Sequence, residues 1–161
     1  MSEEGSLEDF KKNYREIQGK YGLPSFEELN VFFNIEKAAE NETDFILREI
    51  RRIIADRLFN YARFVESLLN PVNVPMFVFS VVKILGAKEK EDLTEIYKKL
   101  AKREIDLIAL DVGSTEEKEA KFIMDSFELW KDIKEDFLRI IEMVKKNWDT
   151  DVEEGKKDYF G

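Results

Sequence analysis

Ala120, Ile123, Phe127, Trp130, Phe137, Ile141, Val144 and Trp148 recur at alternating steps of three and four, and Lys134 is the only polar residue in the series. That spacing keeps one face of an α-helix in register over four heptads. Phe122, Leu129, Ile133, Ile140 and Met143 form a second stripe that widens the apolar face. The pattern also fixes a length. A helix over Thr115–Trp148 spans roughly 50 Å at 1.5 Å per residue, whereas a compact globule of this chain length measures about 40 Å across. The expected architecture is all-α, a bundle of about five helices whose long C-terminal helix overhangs the body or kinks.

The rest of the chain carries the same period. Leu7, Phe10, Tyr14, Ile17 and Tyr21 set a first helix, capped by Ser6 and stopped by Gly22 and Pro24. Ser25 with Glu28 reads as a capping box opening a short helix through Asn30, and residues 31–42 read as irregular or weakly helical. A second long helix is expected over Thr43–Leu69, burying Leu47, Ile50, Ile54, Leu58, Tyr61, Val65 and Leu68. Asn73 and Pro75 mark another start, and Gly86 its end. Met76–Leu85 between them is almost wholly apolar. Its β-branched residues allow a strand, while its helical neighbours favour a buried central helix. A fourth long segment, Lys88–Asp111, is expected to turn Leu93, Ile96, Tyr97, Leu100, Leu107 and Ile108 inward. Gly113 breaks the chain, and Ser114 with Glu117 forms a further capping-box signature. Residues 1–148 read as one helical domain, and 149–161 as a flexible charged tail ending in Tyr159-Phe160-Gly161.

Composition removes whole classes of chemistry. The chain holds no His and no Cys, hence no imidazole base, no thiolate nucleophile and neither of the commonest ligands for zinc, copper or haem. There is no GxSxG elbow and no Gly-rich phosphate loop. The expectation is a protein without cofactor, metal site or catalytic residues. No apolar run reaches membrane-spanning length, so a soluble cytoplasmic protein is expected. Gln18 is the sole glutamine in a Lys- and Glu-rich chain, the bias of hyperthermophile proteins. A net charge of −9 opposes extended nucleic-acid binding and favours a basic protein partner.

Against that acidic background, five of the eight arginines fall within sixteen residues, Arg48, Arg51, Arg52, Arg57 and Arg63. At 100° per residue Arg48, Arg52 and Arg63 lie opposite the buried stripe, with Phe59 beside them and Phe45 at the edge. Arg with aromatic residues on a non-core face is the composition of binding hot spots. The face is either covered by another helix of this chain or open to a partner. Arg57 projects toward the apolar side and needs a carboxylate there, for which Asp106 and Asp111 are the candidates. A second copy is the other expected partner, joined through Ile141, Val144 and Trp148, with Lys134 snorkelling or setting register.

The competing reading is enzymatic. Glu116 with Glu119, Glu89 with Asp92, Asp125 with Glu128 and Asp132 with Glu135 each place two carboxylates on one helix face. Oxygen-only ligation suits Mg²⁺ or Mn²⁺. In that spacing alone the chain is similar to the all-α nucleoside triphosphate pyrophosphohydrolases.

The run YGLPSFEELNVFFNI over Tyr21–Ile35 and the helix FILREIRRIIADRL that follows resemble an all-helical family of small archaeal proteins. The likeness extends through EEKEAKFI and Trp130-Lys131-Asp132-Ile133. It implies an all-helical fold and carries over no active-site residues. The most specific expectation for function is a ribosome-associated translation regulator, a dimeric factor that binds a ribosomal subunit and blocks or dimerises subunits.

Overall fold

The structure, a computed structural model, describes residues 3–160 except 42, 73 and 84, with side chains described from Gly5 to Asp149. Its elements are α1 (Glu3–Tyr21), α2 (Phe26–Phe33), a 3₁₀ helix (Ile35–Glu40), α3 (Ile46–Leu69), α4 (Met76–Val82), α5 (Ala87–Val112) and α6 (Glu116–Phe160). The protein is all-α, and the described residues contain no strand.

Local chemistry sets most of the boundaries. Gly22 ends α1 at φ +64°, and the Leu23 N–H donates to Gln18 O at 3.2 Å, a Schellman closure. The Ser25–Glu28 capping box makes both of its bonds, at 3.1 and 3.2 Å. Asn34 turns the chain out of α2 at φ 54°, a left-handed conformation that Asn tolerates better than most residues. Two expected caps move. Ser6 lies inside α1 and donates to Ala39 O at 3.0 Å, tying that helix to the 3₁₀ turn. The start of α6 is capped by Thr115, whose Oγ1 accepts from the Lys118 N–H at 3.2 Å, while the Ser114 hydroxyl donates to Glu119 at 2.7 Å. Asn73 lies outside the described residues.

Three long helices make the core. α3 and α6 run parallel, with Arg51 level with Glu119, Tyr61 with Trp130 and Phe64 with Phe137. α5 runs antiparallel to them, so that Arg103 meets Asp125, Lys99 meets Asp132 and Asp92 meets Arg139. Ile50, Ile54, Leu58, Leu93, Leu100 and Ile123 are fully enclosed between them. α2 lays Phe32 on Phe127 at 5.2 Å and Phe33 against Trp130 at 6.5 Å. α1 packs on α2 and the 3₁₀ helix. There Tyr14 is fully buried and donates to Pro24 O at 2.6 Å, and burial pushes its phenol pKa up.

Three expectations about packing are corrected. The Met76–Leu85 segment holds a short helix, Met76–Val82, at one end of the bundle, resting on α3 and α6, and not a central one. Among its described residues only Val78, Val81 and Leu85 are buried, and Met76 is 87% exposed. Ile108 is exposed because the inward face of α5 runs through Arg103, and five residues further on lie about 140° round the helix. Finally, α6 passes the expected stop at Trp148 and continues as helix to Phe160. At 1.5 Å per residue that is about 68 Å, against about 36 Å for α3, so the expected overhang is present. The side chains of Tyr159 and Phe160 lie outside the described residues.

Candidate interaction surface

Arg48, Arg52 and Arg63 are all exposed, so the outer face of α3 is open rather than covered. Their separation follows from the helix, whose apolar side is taken up by Leu47, Ile50, Ile54, Leu58 and Val65. Arg48 lies over the Phe45 ring at 4.9 Å, and Phe45 itself is 62% exposed. The Thr43 hydroxyl accepts from the Phe45 N–H at 3.0 Å, which fixes the turn that presents the ring. Arg52 donates to Glu49 at 3.2 Å on the surface. Phe59 is half-buried against the core, so it supports the face more than it presents itself.

At the base of this face a cleft of about 270 Å³ opens between α1, the start of α3 and the start of α6, lined by Ile17, Phe45, Arg48, Ser114 and Glu116 among others. Its rim is tied across the fold. Glu116 Oε1 accepts from Tyr21 OH at 2.8 Å and Lys20 Nζ at 3.3 Å. These two hydrogen bonds, Tyr21 first, hold the Glu116 carboxyl below its ordinary value of 4.5. Lys20 is held above its ordinary value of 10.5, by Tyr21 first and then Glu116. A depressed carboxyl contributes stability above pH 4.5 that is lost as the pH falls through its folded value. The lysine's contribution is present below pH 10.5 and is lost as the pH rises through its folded value. Glu116→Gln is accordingly expected to melt slightly below the parent at neutral pH and level with it once the pH is below the carboxylate range. A gap that persists in acid would contradict this.

Behind the cleft lies the arginine that sequence reasoning missed. Arg51, not Arg57, is the buried guanidinium of α3 at 8% exposure. It donates from Nε and Nη2 to Glu119 at 2.8 and 3.2 Å, and Ser114 Oγ donates to the same carboxylate at 2.7 Å. Arg57 is half-buried, and Asp106 pairs instead with Arg103. Arg103 is the second buried arginine, held by Asp106, by Asp125 at 3.8 Å and by the Phe122 ring at 5.7 Å. A signal existed, because Leu47, Arg51, Ile54 and Leu58 step 4-3-4, as do Leu93, Ile96, Leu100, Arg103, Leu107 and Leu110 in steps of three and four. Ile50, Ile54, Arg57 and Tyr61 step the same way. Spacing alone could not choose between Arg51 and Arg57.

The paired carboxylates are kept apart. Glu119 is occupied by Arg51 and Ser114 at the base of α6, while Asp92 meets Arg139 at 3.4 Å, some 30 Å along the helix. Asp125 pairs with Lys121 and Asp132 with Lys99. Among the described residues no group of three or more carboxylates converges. Glu89 and Asp92 are therefore not brought to Glu116 and Glu119.

Of the residues assigned to self-association, Ile141 and Val144 pack partly into the core. Trp148 is 40% exposed and meets Phe77 of α4 edge-on at 6.0 Å. Lys134 does snorkel, setting its ammonium over the Phe32 ring at 5.1 Å. No helix of the described residues is long and apolar enough to cross a membrane. Compared with known protein families, curated proteins and solved structures, the chain matches none of them.

Proposed function

We propose that this protein is a non-enzymatic interaction factor that engages a protein partner through the Arg48, Arg52, Phe59 and Arg63 face, and that it acts as a homodimer. The observation that carries the reading is the open face itself. Three exposed guanidinium groups stand in a row on one rigid helix, the first already stacked on an exposed aromatic ring. Arginine and aromatic side chains pre-ordered on a helix lose little freedom on binding, which is what hot-spot residues need. The net charge of −9 draws a basic partner from a distance, and the arginines then donate to its carbonyl and carboxylate oxygens at contact. In its most specific form the partner is a ribosomal subunit and the protein regulates translation in the cytoplasm by occupying a surface of it.

The triple variant Arg48→Glu, Arg52→Glu and Arg63→Glu changes only exposed positions and should keep the helical content of the parent. It is expected to weaken partner binding by about 30-fold or more. Sucrose-gradient sedimentation of tagged protein with ribosomal fractions, followed by affinity measurement on the captured partner, reads the effect. Wild-type affinity in a well-folded triple variant would rule out this face, and a partner outside the ribosomal fractions would rule out the ribosomal form of the reading.

A further inference from the structure

A second cleft, of about 270 Å³, opens between the C-terminal half of α5 and the first turns of α6. Lys102 and Arg103 line it from α5, and Lys118 and Lys121 from α6. In a chain of net charge −9 this is a local reversal of sign, because the lining sets only Asp106 and Asp125 against those four cations. The surplus is two positive charges. Both carboxylates are already engaged, Asp106 accepting from Arg103 and Asp125 Oδ2 from Lys121 Nζ at 2.6 Å. Lys118 Nζ reaches the Gly113 carbonyl at 3.3 Å, and exposed Lys102 makes no ion pair among the described residues.

Arg103 is 6% exposed, and its Nη1 is a buried donor with no hydrogen-bond partner among the described residues. Asp125 Oδ2 stands 3.8 Å away, beyond hydrogen-bond reach, and that oxygen is held by Lys121. A buried donor left open costs stability until an acceptor completes it. An anion in the cleft supplies one indirectly, since by drawing the Lys121 ammonium to itself it releases Asp125 to close on Arg103. Buried Leu110 and Phe122, with the methyl of Ala109, give the rest of the cleft an apolar lining. The combination selects a ligand. A phosphate monoester is close to a dianion at neutral pH, which matches the surplus, whereas a carboxylate or a phosphodiester brings one charge. The volume is below that of drug-sized sites and suits a phosphate on a short organic body. Nucleic acid asks for a basic stripe along a surface, not one cleft with two carboxylates in its lining.

We propose that the α5–α6 cleft binds a small phosphate monoester, its phosphate held by Lys102, Lys118 and Lys121 and its organic body laid against Ala109, Leu110 and Phe122. Arg103 acts through Asp125, which passes from Lys121 to the guanidinium as the phosphate enters. The site goes beyond the interaction reading given above and does not rest on it, since it uses neither α3 nor the Arg48–Arg63 face.

Titration of the ¹⁵N-labelled full chain with phenyl phosphate and with inorganic phosphate, at low ionic strength and followed by amide shifts, tests this. Phenyl phosphate is expected to move the amides around Lys102–Leu110 and Lys118–Asp125 with a Kd on the order of 1 mM or below. Inorganic phosphate, lacking the organic body, should bind the same place about threefold or more weakly. Between about pH 7.5 and about pH 5.5 the affinity for phenyl phosphate should fall about fourfold, as the ligand takes up its second proton near pH 6. The chain holds no His, the side chain that ordinarily titrates in that window, so the loss belongs to the ligand. Lys102→Gln, Lys118→Gln and Lys121→Gln together alter exposed positions only and should weaken binding about tenfold or more. Arg52→Gln with Arg63→Gln should leave it unchanged. Absence of shifts at these amides up to about 20 mM of either probe, an affinity flat across that pH range, or a folded triple variant that binds like the parent would each overturn the site. Loss of binding in the arginine pair instead would move the anion to the α3 face and overturn it equally.

Discussion

Glu119→Ala is expected to cost about 3–5 kcal/mol of stability, a fall of roughly 10 °C or more in Tm for a domain of this size. The reason is the environment of its partner. Arg51 is buried at 8% exposure, and Glu119 accepts both of the hydrogen bonds it makes across to α6. Removing the carboxylate leaves a guanidinium inside the bundle with its charge uncompensated. Replacing both partners with apolar residues, Arg51→Met with Glu119→Leu, should recover most of the loss, since the pair's own net contribution is small once both desolvation costs are removed. Lys99→Ala provides the control. Its pair with Asp132 is 2.7 Å long but sits on the surface, so the change should be worth about 1 kcal/mol or less. Thermal melts followed by circular dichroism decide the matter. A Glu119→Ala protein melting within a few degrees of the parent would show that the pair is not the tie between α3 and α6.

The second large effect is expected at Trp130. Its indole is buried at 7% and stacks on Tyr61 with centroids 5.0 Å apart and planes at 16°. Phe137 meets it at 6.1 Å and Phe33 at 6.5 Å, so that α2, α3 and α6 share one aromatic cluster. Trp130→Ala should cost about 3–5 kcal/mol, transfer and cavity terms together. The aromatic pairs add about 0.5–1.5 kcal/mol each beyond the area they bury. Trp130→Phe keeps a ring in the cluster and should lose less than half as much. With Trp130 gone, Trp148 is the remaining tryptophan, and its emission then reports on the α4 contact alone. Equal stability of the Ala and Phe variants would mean that the cluster tolerates a cavity, against this account.

Helix identity was legible because it rests on a repeating signal. The four-heptad series in α6, the stripe of α3, the Gly22 stop and the Ser25–Glu28 box each stand in the structure where the residues put them. Surroundings were harder, since a single helix does not show what faces it. Met76–Val82 is apolar enough to be central and lies at the edge, because the three long helices already fill the middle. Arg51 and Arg57 stand equally well on an apolar stripe, and only the axial position of Glu119 separates them. Arg48, Arg52 and Arg63 were placed on an outer face by angle alone, but whether another helix lay over them depended on where α1 and α2 settled. Those pack on one another and on the 3₁₀ helix, leaving the arginines open.

The parallel run of α3 and α6 has a consequence for how strongly the protein could hold anything. Arg48 stands near the base of α6, level with Glu119, while Trp148 stands roughly 45 Å up the same unbroken helix. In the homodimer proposed above, with the junction near Trp148 that the sequence suggests, the two arginine faces would be held apart by one stiff rod. Once the first face has engaged, the second meets a matching site at an effective concentration set by that rod rather than by diffusion. A target with two sites at the right separation is then held by avidity, and a target with one site is not. The length of α6 becomes a selector of spacing.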